Sequence, residues 1–242
     1  LSDVPAMLAG GKPSDGGFLI LSPQEREELL RAQPTIEPWI RRFSMGLEFI
    51  KGEDRYCLWL QDCPRHVWAS MPEVVDRVRS VQHMRQQSPK EATRKKAETP
   101  WLFDEIKYKG EGAYLAVPAV SSQRRKYIPI DFVTDGMIPG NKLFFVPDAT
   151  VYHFGILTSR VHNAWMRVVG GRLKSDYNYS NVIVYNNFVW PKVTRAQRQE
   201  IADAAQAVLD ARASFPGTSL KDLYNPDNEF IYPELTKAHR AL

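Results

Sequence analysis

The segment from Gly171 to Ser180 places polar and charged side chains on one short run of backbone, among them Lys174 and Asp176. In an extended segment, residues two apart point the same way, so the sequence predicts that Lys174 and Asp176 emerge side by side. Lys can donate to guanine O6 and N7 while Asp accepts from cytosine N4, so this pair could answer one G·C base pair in the major groove of DNA. The alternative is a surface ion pair on a strand, which stabilises a protein little.

A second candidate group lies at predicted strand ends. Asn141 and Lys142 occupy a predicted turn, and Ala119 closes an earlier strand. Asn can pair bidentately with adenine and Lys with guanine, while Ala119 would leave space or contact a methyl group. We interpret these three residues as a second, weaker base-reading group. The alternative is an ordinary β-turn.

Basic and hydroxyl side chains near these segments are candidates for phosphate contacts, which add affinity and fix register without reading sequence. The candidates are Arg124, Arg125, Lys126, Arg160, Arg172, Ser121 and Ser122. Residues 77–96 form a longer basic stretch, with seven Lys and Arg residues against one Glu. Such asymmetry suits a face turned towards phosphates, although solvated helix surface gives the same pattern.

The sequence offers no recognisable catalytic or metal-binding motif. Phosphate-loop, dinucleotide-binding, zinc-protease and nucleophile-elbow patterns are all missing. The five histidines are scattered, and none pairs with Cys or a carboxylate at ligand spacing. His153 and His162 are interpreted as structural. By elimination we predict that the chain binds or positions, with no catalytic residue, metal or cofactor of its own.

Composition is that of an ordinary globular protein. The 242 residues are 43% hydrophobic and 25% charged, with a net charge of +4, which by itself identifies no nucleic-acid binder. No apolar run approaches the roughly 18 residues of a membrane-spanning helix. Cys57 and Cys63 fit neither a redox pair nor a disulfide scaffold, which favours a reducing cytoplasm.

The elements that must position the candidate residues alternate between helix and strand. Apolar spacing and capping patterns predict helices over 22–32, 35–43, 73–87 and 160–169 and from Thr194 onwards, with Trp165, Val168 and Val169 buried. Strand-like or extended runs are 55–60, 113–120, 126–133, 142–146, 150–157, 172–179 and 181–188. We therefore predict an α+β fold, in which a central mixed β-sheet recognition domain with flanking helices precedes a small helical C-terminal segment.

Eight motifs, taken in order, resemble the target-recognition and C-terminal portion of MmeI-like (type IIL) single-chain bacterial restriction–modification enzymes. They are KPSDGG at 12–17, LIL at 19–21, RYCLWL at 55–60, VSSQRRKYIP at 120–129, YHFGILTS at 152–159, GRLKSDYNYS at 171–180, VYNN at 184–187 and WP at 190–191. The sequence departs from the pattern at Asn163, at Val189 and in the longer segment 225–232.

The resemblance implies a module that selects double-stranded DNA targets for a methyltransferase in the same polypeptide. That methyltransferase would use S-adenosylmethionine to modify adenine N6, and a nuclease domain using Mg²⁺ could accompany it. The expected division is a connector at 1–22, a DNA target-recognition domain at 23–191 and a helical C-terminal domain at 192–242, in a cytoplasmic protein without a membrane partner.

Two other functions stay open at this point. The chain could be a small stand-alone nuclease or transferase, which would require a convergent carboxylate or histidine cluster. It could also be a protein-interaction or scaffolding module whose basic face serves another partner.

Overall fold

A computed structural model describes residues 4–242, so the first three residues of the expected connector lie outside the described range. The predicted α+β class is confirmed. The strands among these residues are β1 (Leu8–Ala9), β2 (Ile20–Leu21), β3 (Ile40–Ser44), β4 (Tyr56–Leu58), β5 (Tyr114–Pro118), β6 (Val120–Ser121), β7 (Asp131–Val133), β8 (Ile138–Pro139), β9 (Leu143–Pro147), β10 (Gly171–Leu173) and β11 (Asp176–Asn178).

Helices surround and follow the strands. They are α1 (Pro23–Ala32), α2 (Gly46–Lys51), α3 (Arg65–Trp68), α4 (Pro72–Gln86), α5 (Glu91–Lys95), α6 (Val151–Thr158), α7 (Arg160–Val169), α8 (Arg195–Ala213), α9 (Leu220–Leu223) and α10 (Pro233–Ala241). Shorter-pitch 3-10 helices cover Pro34–Trp39, Lys96–Glu98 and Pro226–Ile231, and a π-helix covers Asn181–Tyr185.

The strand β5 lies between two hydrophobic cores. It pairs antiparallel with β9 and β7 in a four-stranded sheet of order β1-β9-β5-β7. Because neighbouring side chains on a strand face opposite sides, Leu115 and Val117 enter one core while Tyr114 and Ala116 enter the other. Both faces are covered, which explains why β5 is apolar throughout instead of alternating.

Two smaller sheets complete the β structure. One has the order β2-β4-β3-β8, in which only the β3–β8 pair is parallel among the described strands. The other has the order β10-β11-β6 and consists of a hairpin joined to the strand that continues from β5. Among the residues singled out by the sequence, Ser121, Arg172 and Asp176 lie in this sheet, and Lys174 lies in its hairpin turn.

The C-terminal helices pack onto the central sheet and share its core. The predicted capping box at Thr194 and Gln197 begins α8, which packs against α6 and α10. A Cβ atom at Gly155 of α6 would lie 2.8 Å from the Ala205 Cβ of α8, so only glycine permits this helix spacing. The buried Arg212 donates to the Ile130 carbonyl at 2.8 Å and also to the Tyr224 hydroxyl.

Besides the segment 172–179, which is described below, three predicted elements are wrong. Residues 35–43, predicted as a helix, form a 3-10 helix interrupted by Pro38 and then β3, which pairs on both sides. Residues 150–157, predicted as a strand, form α6, which Thr150 caps. The run 151–158 is buried along almost its whole length, and apolar periodicity alone cannot separate a buried helix from a buried strand. Residues 181–188, predicted as extended, begin with the π-helix.

Candidate nucleic-acid interface

The segment 171–180 is a tight hairpin and not one extended piece of backbone. Its strands β10 and β11 pair through Gly171↔Asn178 and Leu173↔Asp176, which leaves Lys174 and Ser175 as a two-residue turn. Lys174 has a left-handed backbone, with φ of 56°. The alternation argument for Lys174 and Asp176 was therefore wrong in its premise: Lys174 stands at the exposed tip, and Asp176 begins the returning strand.

The hairpin is anchored to the loop that follows β6. Tyr177 pairs with Ser121 and Asn178 with Val120. The backbone N–H of Gln123 donates to Asp176 Oδ1 at 3.2 Å. The structure thus brings the Lys174–Asp176 pair together with the predicted phosphate-binding loop 121–126.

The three basic residues of this loop differ in their surroundings. Arg124 is ion-paired with Asp227 at 2.7 Å, and Lys126 with Glu229 at 2.5 Å, both acids lying on the 3-10 helix Pro226–Ile231. Arg125 is half-buried, and its Nε has no hydrogen-bond partner among the described residues. Burial lowers the pKa of the Arg125 guanidinium, and the nearby negative charge of Asp176 opposes that shift.

The remaining phosphate candidates also occupy distinct environments. Ser121 is buried, so its hydroxyl is not presented at the surface in this conformation, whereas Ser122 is half-buried. Arg172, on the hairpin, stacks over the Tyr177 ring at 3.8 Å from the ring centroid, which holds the guanidinium beside the turn. Arg160 is exposed at the first residue of α7.

The second predicted group is also brought together. The backbone N–H of Ala119 donates to the Lys142 carbonyl at 3.0 Å, next to the Asn141–Lys142 turn. The backbone N–H of Tyr179 donates to the Ala119 carbonyl at 2.8 Å, which joins this group to the end of the hairpin. Ala119 itself is buried, while Asn141 is half-buried and Lys142 exposed.

The base of the hairpin is held by buried polar residues. His162 Nε2 lies 2.9 Å from the Tyr179 hydroxyl, and burial lowers the pKa of His162 to about 3, so its ring is neutral. Asn163 accepts from the Ile128 N–H at 2.9 Å and donates to the carbonyls of Thr158 and Ser159. His153 Nδ1 accepts a hydrogen bond from the backbone N–H of Thr150 at 3.0 Å and also lies 2.9 Å from the Thr150 hydroxyl. Both histidines are buried and each has one ring nitrogen in a hydrogen bond, which agrees with the structural interpretation.

One exposed polar residue beside the predicted pair was missed. Asn178 is the second residue after Asp176 on β11, so the two side chains share a face of the strand. The alternation that was applied to Lys174 and Asp176 identifies this position once the turn is placed correctly.

The basic stretch 77–96 is largely structural. Arg85 is fully buried and donates to the carbonyls of Pro13, Ser14, Lys96, Thr99 and Leu102. Arg77 and Lys95 are paired with Glu25 and Glu91. This stretch therefore offers less free positive charge than its composition indicates.

Neither a metal site nor a membrane segment is found in the described part of the chain. Residues 4–242 contain no group of three or more His, Cys, Asp or Glu side chains that could hold an ion. No helix in the same range combines the length and the apolar character that crossing a bilayer requires.

Comparison with known proteins gives consistent matches over the whole chain. The family model "MmeI, target recognition domain" matches residues 1–192, and "MmeI, C-terminal domain" matches residues 193–242. The chain is 36% identical over 242 residues to DNA methyltransferase A of Bacillus subtilis (strain 168), and the match covers all of this chain and 27% of that protein. A solved structure of the Type IIL restriction-modification enzyme MmeI in complex with DNA matches with a TM-score of 0.96 and 40% identity, covering 99% of this chain and 32% of that one.

Proposed function

The chain belongs to the MmeI family, as its target recognition and C-terminal domains, and on that premise we propose that it is the module by which a bacterial restriction–modification enzyme recognises a double-stranded DNA sequence. The observation that carries the proposal is the structural match to MmeI in complex with DNA over almost the entire chain. The exposed hairpin tip beside a basic loop supports it independently, because such a projection can enter a major groove between phosphate contacts.

Lys174 and Asp176 are proposed to read one G·C pair from the hairpin, and Asn141, Lys142 and Ala119 form the second base-reading group. For Ala119, which is buried, the contribution is the space that its small side chain leaves. Arg125 is a phosphate candidate through its guanidinium group, although its Nε atom is itself buried and faces away from solvent. Arg124, Lys126, Arg160, Arg172 and Ser122 would supply further contacts.

Catalysis is proposed to belong to the rest of a longer polypeptide, since the chain spans about a third or less of the relatives it matches. That part would hold S-adenosylmethionine, methylate adenine N6 and, in a cleaving enzyme, bind Mg²⁺. The described residues do not suit either group, because they present neither a glycine-rich nucleotide loop nor a cluster of metal ligands. The recognition domain at 23–191 and the C-terminal domain at 192–242 remain part of the proposal, but the expected connector at 1–22 contributes the strands β1 and β2 to sheets of the recognition domain.

The test is DNA binding by the 242-residue chain, measured by fluorescence anisotropy with a labelled duplex that contains the site methylated by the full-length gene product. We expect binding to weaken with salt, and the duplex with the site to compete better than a shuffled duplex of equal composition. A chain that binds neither duplex at low salt, or both equally at every salt concentration, would contradict the proposal.

A further inference from the structure

Helix α7 is turned so that its apolar side faces outwards. Val161 and Val168 are 70% and 83% exposed, whereas His162, Asn163 and Met166 are buried. The prediction that Val168 is buried was therefore wrong. A surface helix normally turns its apolar stripe to the core. Here the hydrogen bonds of His162 to Tyr179 and of Asn163 to the Ile128 N–H fix the opposite orientation.

The exposed apolar surface continues beyond α7. The π-helix Asn181–Tyr185 packs beside it, with Trp165 Nε1 donating to the Val184 carbonyl at 2.9 Å. On the π-helix Val182 is 61% and Ile183 53% exposed, and Val189 follows at 83%. We call these five β-branched residues the outward patch: Val161, Val168, Val182, Ile183 and Val189. A single exposed apolar side chain is unremarkable in a folded protein, but five on adjoining elements indicate an interaction surface.

The start of the described chain runs along the same π-helix. Asn181 Nδ2 donates to the Met7 carbonyl at 3.2 Å, and the Tyr185 hydroxyl donates to the Pro5 carbonyl at 2.6 Å. In the relatives most of the polypeptide lies outside the matched region. The expected connector at 1–22 places the methyltransferase before this segment, so that portion would be joined beside the π-helix that carries Val182 and Ile183. A short tether of this kind gives the joined body a high effective concentration at the patch.

We propose that the outward patch is the docking surface for the methyltransferase portion of the same polypeptide, an inference that rests on the proposed function. DNA is a poor occupant because the patch carries no charge to neutralise phosphates. A second copy of the chain would lack the advantage of the tether. Since α7 leads through Gly170 directly into β10, docking here would also set the position of the reading hairpin relative to the catalytic portion.

The direct test places a photo-cross-linking amino acid at position 168 of the full-length gene product, with position 207 as the control. Ala207 is exposed on α8, a helix that contributes no residue to the patch. After irradiation, peptide mass spectrometry should find position 168 joined to residues that precede this segment in the same molecule, and position 207 not joined to them. Cross-links only between molecules, no cross-link, or the same cross-links from both positions would overturn the proposal.

A functional test uses two charge-neutral double variants in the full-length product. The first variant combines Val161→Glu with Val168→Lys, which places the negative charge near the N-terminus of α7 and the positive charge near its C-terminus, as the helix dipole favours. The second variant combines Ala196→Glu with Ala213→Lys and does the same at exposed positions of α8. We expect the α7 variant to lower the methylation rate by about tenfold or more and the α8 variant to change it little. Equal effects of the two variants would overturn the proposal.

The same variants in the 242-residue chain separate this inference from the proposed function. Thermal unfolding of the chain should stay near that of the unmodified chain, because the patch is exposed there. DNA binding should change no more in the α7 variant than in the α8 variant, since each places a glutamate next to an arginine, Arg160 or Arg195. If the unmodified chain fails to bind DNA, the proposed function fails, while the cross-linking result still decides the docking surface.

Discussion

Arg124 and Asp227 form an ion pair 2.7 Å long between the loop after β6 and the 3-10 helix Pro226–Ile231. Lys126 and Glu229 form a second, parallel pair at 2.5 Å. Both basic residues were predicted to contact phosphates, and both are neutralised by acids of the C-terminal domain. Exposed pairs of this kind contribute only about 0–1 kcal/mol each, so DNA phosphates can compete for the same cations. We therefore predict that these two acids compete with DNA phosphates for Arg124 and Lys126.

The first prediction follows from this competition. Asp227→Asn together with Glu229→Gln should raise the affinity of the chain for duplex DNA several-fold at low salt, because Arg124 and Lys126 become free to bind phosphates. Each cation that gains a phosphate should also steepen the dependence of log affinity on log salt by about one unit. Fluorescence anisotropy across a salt series measures both quantities.

A matched control removes the same two charges elsewhere. Asp76→Asn with Glu91→Gln breaks the exposed pairs to Arg79 and Lys95, which lie in the N-terminal half of the chain. This variant should change the affinity only through the net charge. If both variants strengthen binding equally and share one salt slope, the ion pairs at 227 and 229 do not compete with DNA.

The second prediction concerns the hairpin. Exchanging Lys174 for Glu and Asp176 for Arg should change the base pair preferred at one position of the recognised site and leave the others unchanged. A good contact to a base edge discriminates by about 1–3 kcal/mol, roughly tenfold or more in preference. Sequencing of the sites methylated by the full-length gene product gives the answer. As a control, Arg79→Glu with Asp76→Arg exchanges charges on exposed α4, and an unchanged preference in both variants would assign the hairpin pair a structural role.

The sequence singled out the segment 171–180 and the basic loop 121–126, because their polar and charged residues mark them without tertiary information. It misplaced Lys174, since an extended reading of the backbone missed a two-residue turn. The ion pair of Arg124 with Asp227 joins residues that are 103 positions apart in the sequence, and no local sequence pattern predicts it. Contacts of this range depend on how the C-terminal helices fold onto the sheet.

Capping patterns gave reliable helix starts at Ser22 and Thr194, because capping is decided within four residues. Apolar runs did not show whether a buried segment is a helix or a strand, as α6 demonstrates. The apolar spacing along α7 also did not predict which side of the helix is buried. The hydrogen bonds of His162 and Asn163 determine which side of α7 faces outwards, and their partners Tyr179 and Ile128 lie in loops elsewhere in the chain.

The last prediction is a loss of stability in mild acid. Burial lowers the pKa of His162 to about 3, and burial together with Arg212 lowers the pKa of His239 to about 3. In the unfolded chain both imidazoles titrate near 6.5. Between these values the unfolded state binds more protons, so the free energy of unfolding falls as the pH is lowered. The two neutral imidazoles cost no stability above about pH 6.5. Below that pH, protonation of each histidine in the unfolded state lowers the free energy of unfolding by up to about 1.4 kcal/mol per pH unit.

Urea unfolding at pH 7.5, 5.5 and 4.5 measures this slope. His162→Gln keeps a polar group near the Tyr179 hydroxyl, so the variant should fold, with reduced stability at pH 7.5. Its free energy of unfolding should fall less steeply with decreasing pH, by the slope that one proton contributes. His66→Gln, which removes an exposed imidazole, controls for the loss of a histidine as such. An acid slope in His162→Gln as steep as in the unmodified chain would mean that His162 is not held neutral.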